Sequence, residues 1–554
     1  MKKILSILLL SCLLWSCEDF LDTESKTKKD TSNFPETAAD ADQLLTGAYA
    51  ILGRYEPLQS SFLASELMSD NTFGGGDQND LLCKAIDQFK KSSETMFSQG
   101  WRASYIGVYR CNFLISVLDQ IEWESEEQRA EIEGQIHFLR AYFYFELSRM
   151  FGEVPLVTTP EAVNVPKSPA ADTYAVIASD LQTAIEKLPS TKVTEMDVAD
   201  NGRVTKWAAE ALMARVFLFY TGYYNQQSLP TTDGGEVTKQ QVTDWIVDCV
   251  ENSGHDLIPD YRNLWPYSYV DDYSYTADND LEWAGDGNIE EVFMIKYSTL
   301  ATWDLPYQKS NQYSLYYGLR GQSNYAYCFP WGQGWGMGTV NPKLWEDWDD
   351  NDIRKKASII DSQDRTEMRL YQKGGGNLTD ETYYFVKKYT PVNVYTDATK
   401  TKVENYSIKL YGMTETNIQL TNTQDCMLIR FSDVLLMAAE LGAPNAQAYL
   451  DRVRSRAGLP SVPANLENIK KERRFELAFE GVRYYDLLRW HDENMITENQ
   501  TNIQVYDRRR PVTKNITFRS ETGGFLPIPQ TEIDLSQGVL IQNPGWEGSA
   551  NYLE

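Results

Sequence analysis

Paired helical repeats constrain this chain most. Tyr174–Leu188 and then Lys206–Tyr223 each carry apolar residues at helical spacing, and a short polar link separates them. In the second helix Ala208, Ala211 and Ala214 form a small-residue face on which another helix can pack closely. Phe431–Leu441 followed by Asn445–Ala457 repeats the arrangement far downstream. Such units cannot bury their apolar stripes alone and must stack. Further helices are predicted over 38–55, 100–121, 126–151 and 238–250, and a last long one from Leu466 to Trp490. The predicted fold is mainly α: a tetratricopeptide-like α-α superhelix of four helix pairs.

The periodicity fails between residues 255 and 425. This stretch reads as loops, glycine clusters and short strands (Glu291–Tyr297, Tyr383–Tyr389). Composition matters here. The window Tyr261–Trp335 holds 19 aromatic residues in 75, where the chain average of 12% would give about nine. The sequence therefore divides into a leader (1–16), a tether (17–35), a helical region (36–254), an aromatic-rich insertion (255–425) and a second helical region with a terminal strap (426–554). Leu526-Pro527-Ile528-Pro529 belongs to that strap, since two prolines force an extended path.

The leader sets the compartment. Lys2 and Lys3 precede a twelve-residue apolar run, Ile4–Trp15, of signal-peptide length and too short to span a bilayer. Leu14-Trp15-Ser16-Cys17 resembles a bacterial lipobox, which makes Cys17 the lipidation site. Several acyl chains there would anchor the protein stably. Glu18 and Asp19 resemble the surface-export signal of Bacteroides-like lipoproteins. The five cysteines beyond Cys17 (Cys83, Cys111, Cys249, Cys328, Cys426) are odd in number and widely spaced, so buried free thiols are expected. A formal charge of −27 excludes nucleic acid as a partner.

Four segments carry a family resemblance: Cys17-Glu-Asp-Phe-Leu-Asp22; Trp101 with Tyr105 and Tyr109-Arg110-Cys111-Asn112; Arg473-Arg474-Phe475-Glu476 running on to Arg489-Trp490; and Leu526-Pro-Ile-Pro-Gln530 with Gln542-Asn-Pro-Gly545. Together they resemble the SusD/RagB family of outer-membrane glycan-binding lipoproteins. That resemblance implies the four-unit helical fold and a ligand-binding insertion. It also implies a SusC-like TonB-dependent transporter as partner and a lipid-anchored position facing the cell exterior. Read without the resemblance, Phe475, Ala478, Phe479, Val482 and Tyr485 face a core. Glu476, Glu480, Arg483, Asp486 and Arg489 then form intrahelical surface pairs of about 0–1 kcal/mol each.

The expected function is non-catalytic glycan capture by aromatic stacking. Trp331 and Trp335, set among glycines, lead the candidates for an exposed sugar platform, with Tyr325, Tyr327 and Trp303 behind them. Glycines next to a tryptophan deny it neighbours, which favours exposure. The early loop Asp70-Asn71-Thr72-Phe73 is the second candidate, because the resembled family places this loop beside its glycan. Trp101 is a third. No G-x-S-x-G or H-E-x-x-H occurs. His137 reads as a packed histidine, and His255 and His491 as turn residues. No cofactor is expected. Asp347, Asp349, Asp350 and Asp352 are candidate calcium ligands, although their spacing is no EF-hand and Asp352-x-Arg354 reads as a structural pair. Peptide capture within the same family, and less so glycoside hydrolysis, are the alternatives.

Overall fold

The computed structural model describes residues 34–54, 60–304, 310–548 and 551–553. Cys17 and the leader lie outside the described residues. Helix α1 (Ala38–Tyr49) opens on a capping box, Thr37 with Asp40, and gives way to a 3₁₀ turn at Leu52–Arg54 rather than running on to Tyr55. Helix α2 (Ser61–Met68), strand β1 (Thr72–Gly75) and helix α3 (Leu81–Asp87) follow. Then come the long helices α4 (Ser98–Val117), α5 (Glu126–Phe151), α6 (Ala170–Lys187), α7 (Lys206–Tyr223) and α8 (Lys239–Asn252), each packed on the one before. Ser125, Thr205 and Thr238 cap the starts of α5, α7 and α8. Helices α4 and α5 touch at Gly107, where an added Cβ would stand 2.5 Å from Phe143. Ala208, Ala211 and Ala214 are buried on α7 as expected.

The chain leaves the stack after α8 and returns through α9 (Phe431–Leu441), which packs on α8. Strand β2 (Glu291–Ile295) pairs antiparallel with strand β4 (Cys426–Arg430) and clips the excursion at its root. Strand β3 (Met337–Val340) pairs antiparallel with β1, tying the insertion to the early loop. Helices α10 (Ala446–Arg456) and α11 (Leu466–Glu476) complete the stack, and α12 (Arg483–Arg489) packs on α7 and α2. The strap holds the end of α5: the Leu526 amide donates to the Met150 carbonyl (2.8 Å), and Asn543 Nδ2 donates to the Phe151 carbonyl (2.9 Å). All five cysteines are free and buried.

The helix expected from Leu466 to Trp490 is two helices. The chain breaks at 477–482, with Phe479 and Gly481 at positive φ, and Gly481 lies so close to Phe62 that a Cβ would stand 2.7 Å from its ring. The reason is electrostatic. The carboxylates of this motif turn inward to meet arginines from distant segments, rather than pairing along one helix surface. Glu476 accepts from Arg354 (2.8 Å), Arg430 (3.0 Å) and Arg456 (2.5 Å). Arg354 also binds Asp352 and Glu472, Arg430 binds Glu290 and Glu480, and Lys388 binds Glu480 at 2.6 Å. Burial alone would raise the Glu476 pKa; Arg456, Arg430 and Arg354 outweigh it and hold the carboxyl well below the usual range. Of the expected intrahelical pairs, Arg489–Asp486 at 2.8 Å is present, and it too is buried.

The aromatic surplus has a structural use as well. The Lys387 ammonium is buried among Tyr267, Tyr273, Tyr275 and Trp331, 4.0 to 5.3 Å from their ring centres, and bonds Glu367 at 2.8 Å. Lys388 sits over Tyr261 and Trp265. A desolvated cation over an aromatic face gains about 2 kcal/mol. Six of the insertion's aromatic rings therefore surround two buried lysines.

Candidate glycan platform

The segment 332–336 lies flat against 315–319. Leu319 N donates to the Gly332 carbonyl (3.1 Å), Gly334 N to the Leu319 carbonyl (2.8 Å) and Trp335 N to the Leu315 carbonyl (2.6 Å). At Gly334 a Cβ would stand 2.4 Å from the Leu315 carbonyl oxygen. The glycines thus allow backbone to meet backbone, and they do not serve to strip neighbours from the tryptophans. Trp331 is accordingly fully buried, 0% exposed, in the Lys387 cage, a correction of its expected role. Trp335 keeps a partly exposed ring, set edge-on to Tyr316 at 4.9 Å.

Tyr325–Tyr327 form a 3₁₀ turn capped by Asn324. The Tyr325 hydroxyl donates to the Leu319 carbonyl (3.0 Å), and burial pushes its pKa up to about 12. Tyr327 is 37% exposed, and Arg369 lies over its ring at 4.8 Å. The Leu370 amide donates to the Tyr327 carbonyl (2.9 Å), and Gln322 bonds the Gln372 backbone in both directions. Arg320 gathers the surface: it donates to the Gly376 carbonyl (2.9 Å) and the Trp335 carbonyl (3.1 Å) and pairs with Asp77 (2.8 Å) and Asp80 (3.3 Å). These bonds tie together, through the backbone of 319–336, a set of exposed or half-buried side chains: Tyr325, Tyr327, Trp335, Arg320, Arg369 and Asp77. The aromatic members were legible in the sequence. Arg320, Arg369, Gln372, Asp77 and Asp80 were not, because pairing across 240 residues leaves no local pattern.

The rest of the early loop is not on this face. Asp70 is fully buried, bonded to Arg483 (2.8 Å), Arg474 (3.0 Å) and Asn499 (2.7 Å). Against its burial, Arg474 and Arg483 hold its pKa well below the usual carboxylate range. Asn71 is buried and donates to Glu66 (3.3 Å), and Phe73 is buried within the β1–β3 pair. These three anchor the loop and present nothing to a ligand. Trp101 is also buried, against Tyr105 and Phe151, at the edge of a groove of 580 Å³ that Tyr109 and Leu535 share. Trp303 stands 54% exposed, and no contact among the described residues ties it to the platform.

His137 Nδ1 is hydrogen-bonded to Asp180 (2.6 Å). His255 is buried rather than in an open turn, and burial lowers its pKa to about 4. The four candidate calcium ligands are each engaged: Asp347 by Lys343 and Arg474, Asp349 by Asn351, Asp350 by Lys355 and Asp352 by Arg354. Among the described residues no three His, Cys, Asp or Glu side chains are grouped to hold a metal ion, and no helix is long and apolar enough to cross a membrane.

Comparison with known proteins places this architecture. A family model described as the SusD family matches residues 301–546, and one described as starch-binding associating with outer membrane matches residues 19–218. In both of these stretches the chain is SusD-like. A SusD-like protein P2 from Formosa agariphila is 25% identical to it, covering 98% of this chain and 99% of that one. A laminarin binding SusD-like protein superposes with a TM-score of 0.71 at 25% identity, over 92% of this chain and all of that one. A surface glycan-binding protein A from Bacteroides thetaiotaomicron, solved with laminarihexaose, superposes with a TM-score of 0.69 at 23% identity, over 92% of this chain and 99% of that one, and so shares the fold. The SusD-like architecture accounts for the helical stack and for the insertion it carries.

Proposed function

We propose that the protein captures a glycan on the Tyr327–Trp335 face without cleaving it. It then delivers the glycan to a SusC-like TonB-dependent transporter while anchored through acylated Cys17 on the outer face of the outer membrane. One observation carries the glycan reading. Partly exposed aromatic rings, Tyr327 and Trp335, lie in one short segment with hydrogen-bonding side chains, Arg369 over the first and Arg320 on the backbone of the second, and sugars need both. The names of the relatives, laminarin binding and glycan-binding among them, support the same class of ligand. The likeness to SusD proteins and the lipobox-like leader are what support the transporter, the anchor and the orientation.

Isothermal titration of the mature protein against a glycan panel tests the capture step. Tyr327→Ala or Trp335→Ala is expected to weaken binding by about tenfold, the equivalent of about 1.4 kcal/mol. Binding of an oligopeptide mixture with no glycan bound would replace the reading with peptide uptake. Release of new reducing ends from a bound glycan would make the protein an enzyme. Co-purification of a barrel-sized partner from membranes, lost with Cys17→Ala, tests delivery and anchoring together.

A further inference from the structure

The platform is rimmed by cations. Arg369 lies over Tyr327, and Arg365 donates to the Arg369 carbonyl (3.1 Å). Arg509 Nε donates to the Lys373 carbonyl (2.8 Å), and Arg508 bonds Gln78, a neighbour of the Arg320 partners Asp77 and Asp80. Among the described residues Arg365, Arg369 and Arg508 make no ion pair; Lys373 and Arg509 share the charge of Glu381 without a direct salt bridge, and Lys373 also donates to the Tyr383 hydroxyl (2.9 Å). The carboxylates of this face are already engaged. Asp77 and Asp80 hold Arg320, and buried Glu381 accepts from the Tyr371 hydroxyl (2.5 Å) and the Gly374 amide (2.8 Å). In a chain with a formal charge of −27, a local surplus of cations without a direct salt bridge, of which Lys373 and Arg509 share Glu381, runs against the average.

The placement of two of them is costly. Arg508 and Arg509 are the central residues of the hairpin turn joining Ile503–Asp507 to Arg510–Lys514, with φ of +49° and +74°. Two-residue turns of this kind favour Asn and Gly, which adopt left-handed backbone readily. Arginine has no such advantage, so the turn itself does not account for the pair. Strained residues held at a binding surface point to a ligand.

We propose that the glycan taken by this face is acidic. Its ring faces lie on Tyr327 and Trp335, and its carboxylate or sulfate groups pair with Arg369, Lys373, Arg508 and Arg509. Guanidinium forks match such planar or tetrahedral oxyanions well. This inference rests on the glycan reading above and narrows it.

Titration of the mature protein with two matched pairs tests it: polygalacturonate against its fully methyl-esterified form, and dextran sulfate against dextran. One charged member should bind at least about tenfold more tightly than its neutral counterpart, and which one identifies carboxylate or sulfate. The affinity should fall as salt rises, since exposed charge pairs are screened. The double variant Arg508→Asn with Arg509→Gly keeps a favoured turn and should lose about tenfold in affinity. Equal affinity for neutral and charged forms, still lowered by Trp335→Ala, would overturn the acidic ligand and leave glycan capture standing. Failure of every glycan to bind would overturn both. Wild-type affinity in the double variant, or polyglutamate binding as tightly as any glycan, would likewise overturn the proposal.

Discussion

Glu476→Gln should destabilise the protein far more than its place in a surface-looking helical motif suggests. The carboxylate accepts from three guanidiniums, Arg354, Arg430 and Arg456, all of them buried. Glutamine keeps the volume and removes the charge. The losses do not simply add. Arg354 retains Asp352 and Glu472, Arg430 retains Glu290 and Glu480, and Arg456 retains Glu290. One uncompensated buried charge is the right scale, about 3–5 kcal/mol. Set against a typical total of about 5–15 kcal/mol, that is a large fraction. Chemical denaturation at neutral pH measures it, with Glu467→Gln as reference. Glu467 pairs with Lys471 on the exposed face of the same helix, where solvent screens the pair and its loss should leave stability nearly unchanged. The pH dependence has a definite sign. The folded pKa of Glu476 is depressed below an unfolded value of about 4.3, so its stabilisation is complete above about pH 5 and fades as pH falls further. The gap between wild type and Glu476→Gln should therefore be flat from pH 6 to 8, on this ~4.3 reference, and close in acid. A loss below about 1 kcal/mol at neutral pH, no larger than the reference, would refute the network as a determinant of stability.

Two other substitutions should behave in the opposite sense. Glu210 is wholly buried and neither carboxyl oxygen is hydrogen-bonded; Lys206 stands 3.4 Å away but bonds Asp248 at 2.6 Å. Burial pushes the Glu210 pKa up to about 9, so the folded state holds a proton that the unfolded chain releases near pH 4.3, and stability falls as pH rises between those values. Glu210→Gln should flatten that slope and match or exceed wild-type stability at pH 8 in urea titrations; a substantial loss there would show that the charge is needed. Arg509→Gly should raise the free energy of unfolding by up to about 1 kcal/mol through relief of its left-handed backbone, and a drop would mean that Arg509 is held there for structure.

The helices were legible because their signal is local. Apolar spacing, caps such as Thr205, and small faces such as Ala208–Ala211–Ala214 lie within one or two turns of chain. Trp335, a leading aromatic candidate, and Tyr327, a lesser one, could be picked out on the same terms, as rings in an aperiodic segment, and both keep some exposure. Trp331 also borders a glycine and could not be told from Trp335, because the cage that buries it includes Lys387, more than fifty residues later. The Arg473–Arg489 motif misled for a related reason. Its three- and four-residue spacings fit surface pairing equally well, and the break at 477–482 that turns the side chains inward depends on contacts with Phe62 and Glu66.

Asp70 joins these two halves of the molecule and allows a last test. It contacts no solvent, yet it fixes the start of the loop that carries Asp77 and Asp80 to Arg320, and Arg320 in turn holds the Trp335 carbonyl. Asp70→Asn keeps the shape and leaves Arg474 and Arg483 without their shared counter-charge, a loss again on the scale of about 3–5 kcal/mol. If the platform is positioned through this anchor, the folded variant should bind glycan more weakly than wild type although no ligand touches residue 70. Enthalpy per mole of folded protein, with the folded fraction fixed by circular dichroism, separates that effect from simple unfolding. Wild-type affinity in the folded fraction would show that the β1–β3 pair alone sets the platform, and would confine Asp70 to stability.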